Sequence, residues 1–303
     1  FAMLPEIRID VAIIGAGTAG LYALREVRRA GRSFVLIDHG PLGTACARVG
    51  CMPSKVALHA AALWQAREEM VEFGVTGSDA LHLDLAQTWS ALRGQRDRFT
   101  ASATAKARSA AGEQLIEGRA RFIEPTLLEV STVAGLQRVH AGSVVSATGS
   151  RPHLPAWLEP VRERPVTTDQ LFELEQLPSH IGVLGLECAA EFDLLLVAGG
   201  RLPNTDSLNL AEAVFAVDPR GEPLYDPANL QLGDWPVFIA GDANGQRALL
   251  HEAADEGAIA GYNAARNLRS RWKRKVPLGI VFSGPDVVSV GARLGELDPQ
   301  RIL

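Results

Sequence analysis

Cysteine is scarce: there are three residues in a chain of 303, too few for a disulfide scaffold. Long hydrophobic runs are missing too. No stretch approaches about eighteen consecutive apolar residues, and no charged segment with an apolar core precedes the first strand, so membrane and secretory readings fail. Positive charge is not in excess, the formal net charge being −5, which argues against a nucleic-acid partner. No second cysteine or histidine pair has zinc spacing, so no metal site is expected. What is present, 47% hydrophobic and 21% charged residues, is the balance of a soluble globular protein with room for more than one domain. A reducing, cytoplasmic setting is expected.

Two of the three cysteines, Cys46 and Cys51, stand five residues apart in Gly43-Thr44-Ala45-Cys46-Ala47-Arg48-Val49-Gly50-Cys51-Met52-Pro53-Ser54-Lys55. An ideal helix separates such positions by roughly 8 to 9 Å, whereas a disulfide tolerates about 7 Å between Cα atoms. A pairing therefore needs a bent first turn. Gly50 supplies backbone freedom, Pro53 suits a helix start, and a helix N-terminus favours thiolate at Cys51. Spacing alone leaves open two buried cysteines that merely lie close.

Residues 8–38 form the clearest local unit. Ile9 to Ile14 reads as a short apolar strand, Gly15, Gly17 and Gly20 follow it, an amphipathic helix runs to Ala30, and a second strand ends at Asp38. Glycines between strand and helix permit a tight turn and close approach to a pyrophosphate, and a carboxylate ending the second strand can hold a ribose hydroxyl. Residues 56–112 read as two long helices joined by an irregular part near Gly74 to Asp84, with Trp64 and Trp89 as core anchors. β-type patterning follows, through Ala120, to Val145. Trp235 to Asp242 is a buried strand ending in Gly241-Asp242. The basic run from Arg269 to Lys275 reads as the solvated end of the helix beginning near Leu249.

Gly-Thr-x-Cys-x4-Cys-x-Pro-Ser-Lys resembles the active-site signature of the flavoprotein disulfide reductases, the pyridine nucleotide-disulfide oxidoreductases that include dihydrolipoamide dehydrogenase, glutathione reductase and mercuric reductase. Ala45 departs from the usual pattern by one inserted residue when Thr44 is the anchor. Ala147-Thr148-Gly149-Ser150-Arg151-Pro152 and Ala240-Gly241-Asp242 resemble two further segments of that family, in family order. The implied fold is α/β: an FAD-binding Rossmann-like domain with a parallel sheet, a small antiparallel sheet and long helices. The implied organisation is an FAD domain at residues 4–150 and 205–275, a remnant of an NAD(P) domain at 151–204, and the start of an interface domain at 276–303.

The implied function is transfer of electrons between NAD(P)H and a small disulfide or dithiol, most similar to dihydrolipoamide or a lipoyl group, by a homodimer. Cys51 would face the flavin, Cys46 would exchange with substrate, and Lys55 would sit near the flavin with Glu187 as its partner. FAD would be contacted by Gly15, Gly17, Gly20, Asp38, Gly43, Thr44, Ala120, Thr148, Gly149, Gly241, Asp242, Leu249, Leu250 and His251. Alternatives are a mercuric- or glutathione-type reductase, an FAD oxidase, or an FAD module without a nicotinamide site. The last arises because Ile181 to Gly185 looks like a second nucleotide-binding strand, yet Asp193 to Asn204, which resembles that domain's exit, follows almost at once. A parallel crossover needs about a dozen residues or more.

Overall fold

The computed structural model describes residues 2–184 and 192–292. In chain order they form β1 (Ile7–Ile14), α1 (Thr18–Arg29), β2 (Phe34–Asp38), α2 (Ala45–Arg48), α3 (Cys51–Glu72), α4 (Leu85–Ala111), β3 (Leu115–Glu124), β4 (Leu127–Thr132) and β5 (Gly135–Ser146). Then come β6 (Ser150–Pro152), β7 (Val166–Thr167), α5 (Thr168–Leu171), β8 (Ile181–Leu184), β9 (Leu194–Val197) and β10 (Arg201–Pro203). The described chain closes with β11 (Val237–Ile239), α6 (Leu250–Arg266), β12 (Leu278–Val281) and β13 (Val287–Val290).

β1 is the spine of the main sheet, paired in parallel with β2 on one side and β5 on the other. Its second half, Val11 to Ile14, is buried on both faces, the pattern of a strand covered from both sides. Parallel pairing extends to β11 beyond β5 and to the start of β3 beyond β2. β3 and β5 are long enough to leave this layer and continue, with β4 between them, as an antiparallel meander. The pairings run in a closed circuit, β1 to β2, β3, β4, β5 and back. Phe122, Leu128, Val139 and Val144 fill the space between meander and sheet.

On the opposite face the sheet carries α1 and α6 over Ile13, Leu36, Val145 and Phe238. These two helices touch at backbone distance. A Cβ on Gly257 would lie 2.1 Å from the Ala19 carbonyl oxygen, and one on Gly261 would lie 2.5 Å from that of Ala23. Small residues four apart on α6 thus set how near it comes to α1, and with it how near the two helix N-termini lie.

The two long helices are present as the sequence predicts, but Trp64 is not a core anchor. Among α3's 22 residues only Pro53 is buried, and Trp64 is half-exposed with the Arg67 guanidinium 4.1 Å from its ring. Trp89 is buried, stacks on Phe172 at 5.9 Å and donates its indole N–H to the Leu174 carbonyl at 2.9 Å.

Residues 166–197 hold a small parallel sheet in the order β7, β9, β8. β8 and β9 pair in register although nine residues separate them, so strand pairing exists where the crossover rule suggested no unit at all. An antiparallel ribbon of β6 and β10 joins this sheet to the main body. The segment from Val281 to Gly291 is not one strand: it turns after β12 and returns as β13. The basic run also departs from expectation. α6 ends at Arg266 with Asn267 in the left-handed conformation, and the following basic side chains are paired: Arg269 with Asp234, Arg271 with Asp226, Arg274 with Glu252 and Glu256, and Lys275 with Asp255.

Candidate functional site

A cavity of about 400 Å³ opens at the carboxyl ends of β1, β5 and β11, a volume within the usual range for small-molecule and cofactor sites and the expected place in an α/β sheet. Its walls come from several chain segments. The turn after β1 gives Gly15 and Gly17, the end of β2 gives Asp38, and the segment before α3 gives Gly43, Thr44, Cys46 and Cys51. The end of β5 gives Thr148 and Gly149, and the segments around β11 and α6 give Gly241, Asp242, Leu249 and Leu250.

The glycine turn divides its work. Gly15 has φ +108°, and a Cβ there would lie 2.2 Å from the Ala147 carbonyl oxygen, so this position is closed to side chains. Gly20 does not line the cavity. Its missing Cβ lets α1 seat against the turn, since one would come within 1.8 Å of the Gly15 carbonyl oxygen. Gly17 is different, with nothing within 4 Å of its Cβ position. That open space lets a ligand approach the backbone.

Two helix N-termini face this space. Gly17 is the N-cap of α1 and Leu249 the N-cap of α6; neither makes a side-chain capping bond, and α1 has no acidic residue in its first turn. Unpaired first-turn N–H groups with the positive end of the helix dipole form an anion site, suited to a pyrophosphate and to negative charge on an electron-rich ring. The Thr148 hydroxyl is buried in the wall with no partner in the protein. A dinucleotide fits this donor set: amides for its phosphates, open backbone at Gly17, and an unsatisfied hydroxyl at Thr148.

The acidic residues are held by named donors. Asp38 accepts from the Ala16 amide at 2.6 Å through Oδ2 and from the Gly40 amide at 2.6 Å through Oδ1. It fastens the glycine turn to the loop after β2, a role the strand-end position did not foretell. Each of its oxygens keeps a lone pair for a hydroxyl. Asp242 accepts from Ser150 Oγ at 2.7 Å, and that hydroxyl accepts from Arg201 Nε at 2.8 Å. Arg201 in turn pairs with Asp169 at 2.9 Å. Ser150, Arg201, Asp169 and Asn204 all line the cavity and were absent from the sequence expectation. Ser150 lay within the segment Ala147 to Pro152, and Arg201 and Asn204 within Asp193 to Asn204, both singled out for their pattern, which was the signal available.

Cys46 and Cys51 are both free thiols that open into the cavity. The helix is broken between them: α2 stops at Arg48, Gly50 has non-helical φ −117° and ψ −110°, and α3 begins at Cys51. This is the bent first turn that the spacing required. Thr44, at φ 60°, caps α2 by accepting from the Ala47 amide at 3.2 Å. The Cys51 thiol is lowered to about 6, first by a hydrogen bond from Cys46 and further by its own helix-start amide and the nearby Lys55. The same hydrogen bond and burial raise the Cys46 thiol. One proton is thus shared by two sulfurs, with the negative charge on Cys51.

Other expected residues lie elsewhere. Ala120 is packed in the core between β3 and β4, away from the cavity. His251 is exposed on α6 and does not line the cavity, leaving the α6 backbone to act there. Lys55, one turn beyond Cys51, also lies outside the cavity wall, its ammonium 4.1 Å from the Phe282 ring. Glu187 lies outside the described residues.

A parallel sheet with a glycine turn, two converging helix N-termini and an adjacent dithiol defines a dinucleotide-binding redox protein. The particular family follows from comparison. Residues 9–192 match the pyridine nucleotide-disulphide oxidoreductase family, and the chain belongs to it. Proteins of this family use FAD and NAD(P)H. The chain is 24% identical to a mercuric reductase of Lysinibacillus sphaericus over 369 residues, covering 96% of this chain and 66% of that protein. It is 24% identical to a dihydrolipoyl dehydrogenase of Vibrio cholerae over 377 residues, covering 99% of this chain and 78% of the relative. Each aligned stretch exceeds the 303 residues of the chain, so each relative carries internal residues without a counterpart here. The fold is also that of the flavoprotein disulfide reductase RclA from Escherichia coli in its Cu(II) complex, with a TM-score of 0.74, 19% identity, and 97% of this chain and 79% of that one covered.

Proposed function

We propose that this chain is the FAD- and dithiol-bearing part of an NAD(P)-dependent disulfide oxidoreductase acting on a small disulfide or dithiol, most similar to dihydrolipoamide. The observation that supports it most is the shared wall: the glycine turn, two helix N-termini and a polarised cysteine pair line one cavity. FAD, when bound, supplies two-electron transfer between a nicotinamide and the dithiol. Gly15, Gly17 and the α1 amides would hold its pyrophosphate, Asp38 a ribose hydroxyl, Thr148 and Asp242 its polyol and ring side, and the α6 N-terminus negative charge on the ring.

The cysteines carry the exchange. Passage of the shared proton from Cys46 to Cys51 makes Cys46 the nucleophile, which attacks a substrate sulfur and releases the first substrate thiolate. Cys51 gives that proton to the departing thiolate and, as a thiolate again, attacks Cys46 in the mixed disulfide, releasing the second substrate thiolate and closing the Cys46–Cys51 disulfide. Each substrate sulfur gains one electron, and each cysteine sulfur loses one. Lys55 stabilises the thiolate at Cys51 electrostatically, with Glu187 as its proposed partner.

The domain organisation belongs to the same reading. Residues 4–150 and 205–275 form the FAD domain, 151–204 the remnant of the NAD(P) domain, and 276–303 the opening of an interface domain through which two copies associate. Reconstitution tests it: purified protein mixed with FAD is expected to retain a yellow, protein-bound flavin through gel filtration, with two more thiols titrating after reduction than after mild oxidation, the third cysteine, Cys188, being outside the pair. A colourless protein whose thiol count does not fall on oxidation would overturn it.

A further inference from the structure

Glu256 is buried in α6, 4% exposed, and does not itself line the cavity. Its carboxylate is nonetheless fully engaged. Oε2 accepts from the Gly241 amide at 2.7 Å and from Asn244 Nδ2 at 2.7 Å, and Oε1 accepts from the Arg274 guanidinium at 2.9 Å. Arg274 also reaches Glu252 Oε2 at 2.7 Å. Gly241 has φ +72°, with its Cβ position 3.0 Å from Ala19, so the backbone turns sharply there against α1. The next residue is Asp242, which does line the cavity.

We infer that Glu256, braced by Arg274, is a positioning residue that sets Asp242 in the cavity wall. A turn with a left-handed residue and a half-buried carboxylate one step on needs an anchor for its amide, and a buried carboxylate with two turn donors and one guanidinium supplies it. Arg274 explains why that anion tolerates burial, because a buried carboxylate without a partner is costly. Arg274, in the run after α6, therefore has a task at the N-terminal half of the same helix. Asp242 is held from both sides: Glu256 fixes its backbone through Gly241, and Ser150 fixes its carboxylate.

This inference rests on the reading of Asp242 as a contact to the flavin side of FAD, which separates two ligands. FAD spans the whole cavity, whereas ADP engages only the glycine turn and Asp38. Glu256→Gln keeps the side-chain shape and one acceptor oxygen but removes the charge facing Arg274, and Arg274→Gln leaves Glu256 intact while removing the brace. Binding of FAD and of ADP to the wild type and both variants is followed by tryptophan fluorescence, with Tm recorded for each. Both variants are expected to weaken FAD binding about tenfold, the loss from one misaligned charge-assisted hydrogen bond, with ADP binding within about twofold of wild type. Equal weakening of FAD and ADP, or no change in either, would overturn the positioning role while leaving the proposed function standing. A wild type that binds ADP and not FAD would overturn both. Because the two variants disturb opposite ends of one contact, misfolding of one leaves the other to decide.

Discussion

The hydroxyl of Ser150 donates to Asp242 Oδ2 at 2.7 Å, joining residues 92 positions apart, and Ser150 Oγ itself accepts from Arg201 Nε at 2.8 Å. One hydroxyl thereby orients the cavity's carboxylate and ties it to Arg201 and Asp169 beside the small parallel sheet. Ser150→Ala removes both bonds and leaves a partly buried guanidinium nitrogen unpaired. The expected cost is about 1 kcal/mol of stability together with a severalfold loss of FAD affinity. Urea unfolding and flavin titration measure the two effects; unchanged flavin affinity would show that Asp242 needs no help from Ser150.

The cysteine pair makes a pH prediction. With Cys51 lowered to about 6 by the Cys46 hydrogen bond and then by backbone and Lys55, iodoacetamide should alkylate the reduced protein with a midpoint near pH 6. Cys46→Ala removes the largest cause and should move the midpoint toward the ordinary thiol value of 9.0. The sign for stability follows. Cys51, with a folded pKa below the unfolded one, contributes stability that is present above pH 9.0 and falls away as pH drops toward 6, while the raised Cys46 thiol opposes it as pH climbs past 9.0. A single midpoint near 9 for the wild type would remove the thiolate from the argument.

Much of this was legible in the sequence, and the reasons differ by region. β1, the glycine turn and α1 were readable because strand, turn and helix are all local. The bend between Cys46 and Cys51 was readable because helix geometry forbids any other way to bring the sulfurs together. Glu256 and Arg274 were not, since a buried carboxylate in a helix looks like a solvated one until its partners 15 and 18 residues away are known. Trp64 failed for the opposite reason: an aromatic residue in a helical period suggests core, but α3 has almost nothing packed over it. Ala120 matched a sequence pattern whose side chain faces the meander instead of the cavity.

The glycine turn can be taken apart by mutation. Gly17→Val places its side chain in open space, so the fold should persist with Tm within a few degrees, while FAD affinity falls at least tenfold because the new side chain stands where phosphate approaches. Gly20→Val drives a Cβ to 1.8 Å from the Gly15 carbonyl oxygen. That substitution should destabilise the whole protein, at the upper end of the 1–3 kcal/mol or so typical of overpacking. Circular dichroism melts and flavin titration separate the two. If both variants lost stability equally, the division of labour assigned to these glycines would be wrong.

The remaining prediction concerns the nicotinamide. β8 and β9 are separated by nine residues and pair in parallel, forming with β7 a three-stranded sheet of short strands. A mononucleotide-binding unit needs a strand, a glycine turn and a full helix, and a crossover of that kind takes a dozen residues or more. The family relatives align over 369 and 377 positions against 303 here, so they hold internal residues that this sequence omits. The position consistent with the strand pattern is between β8 and β9, where the sequence passes from a Rossmann-like opening to a Rossmann-like exit. A protein of this sequence is therefore expected to bind FAD and to cycle its dithiol with dithiothreitol, yet to show no saturable binding of NADH or NADPH below about 1 mM by calorimetry. A longer chain carrying the omitted residues is expected to bind a nicotinamide dinucleotide and to reduce the Cys46–Cys51 disulfide with it. The mass of the protein in its source decides which case is natural: a value well above 32.4 kDa fits the longer enzyme. A value near 32.4 kDa with tight NADH binding would mean that the three-stranded sheet is itself a nicotinamide site, and the domain reading would have to be abandoned.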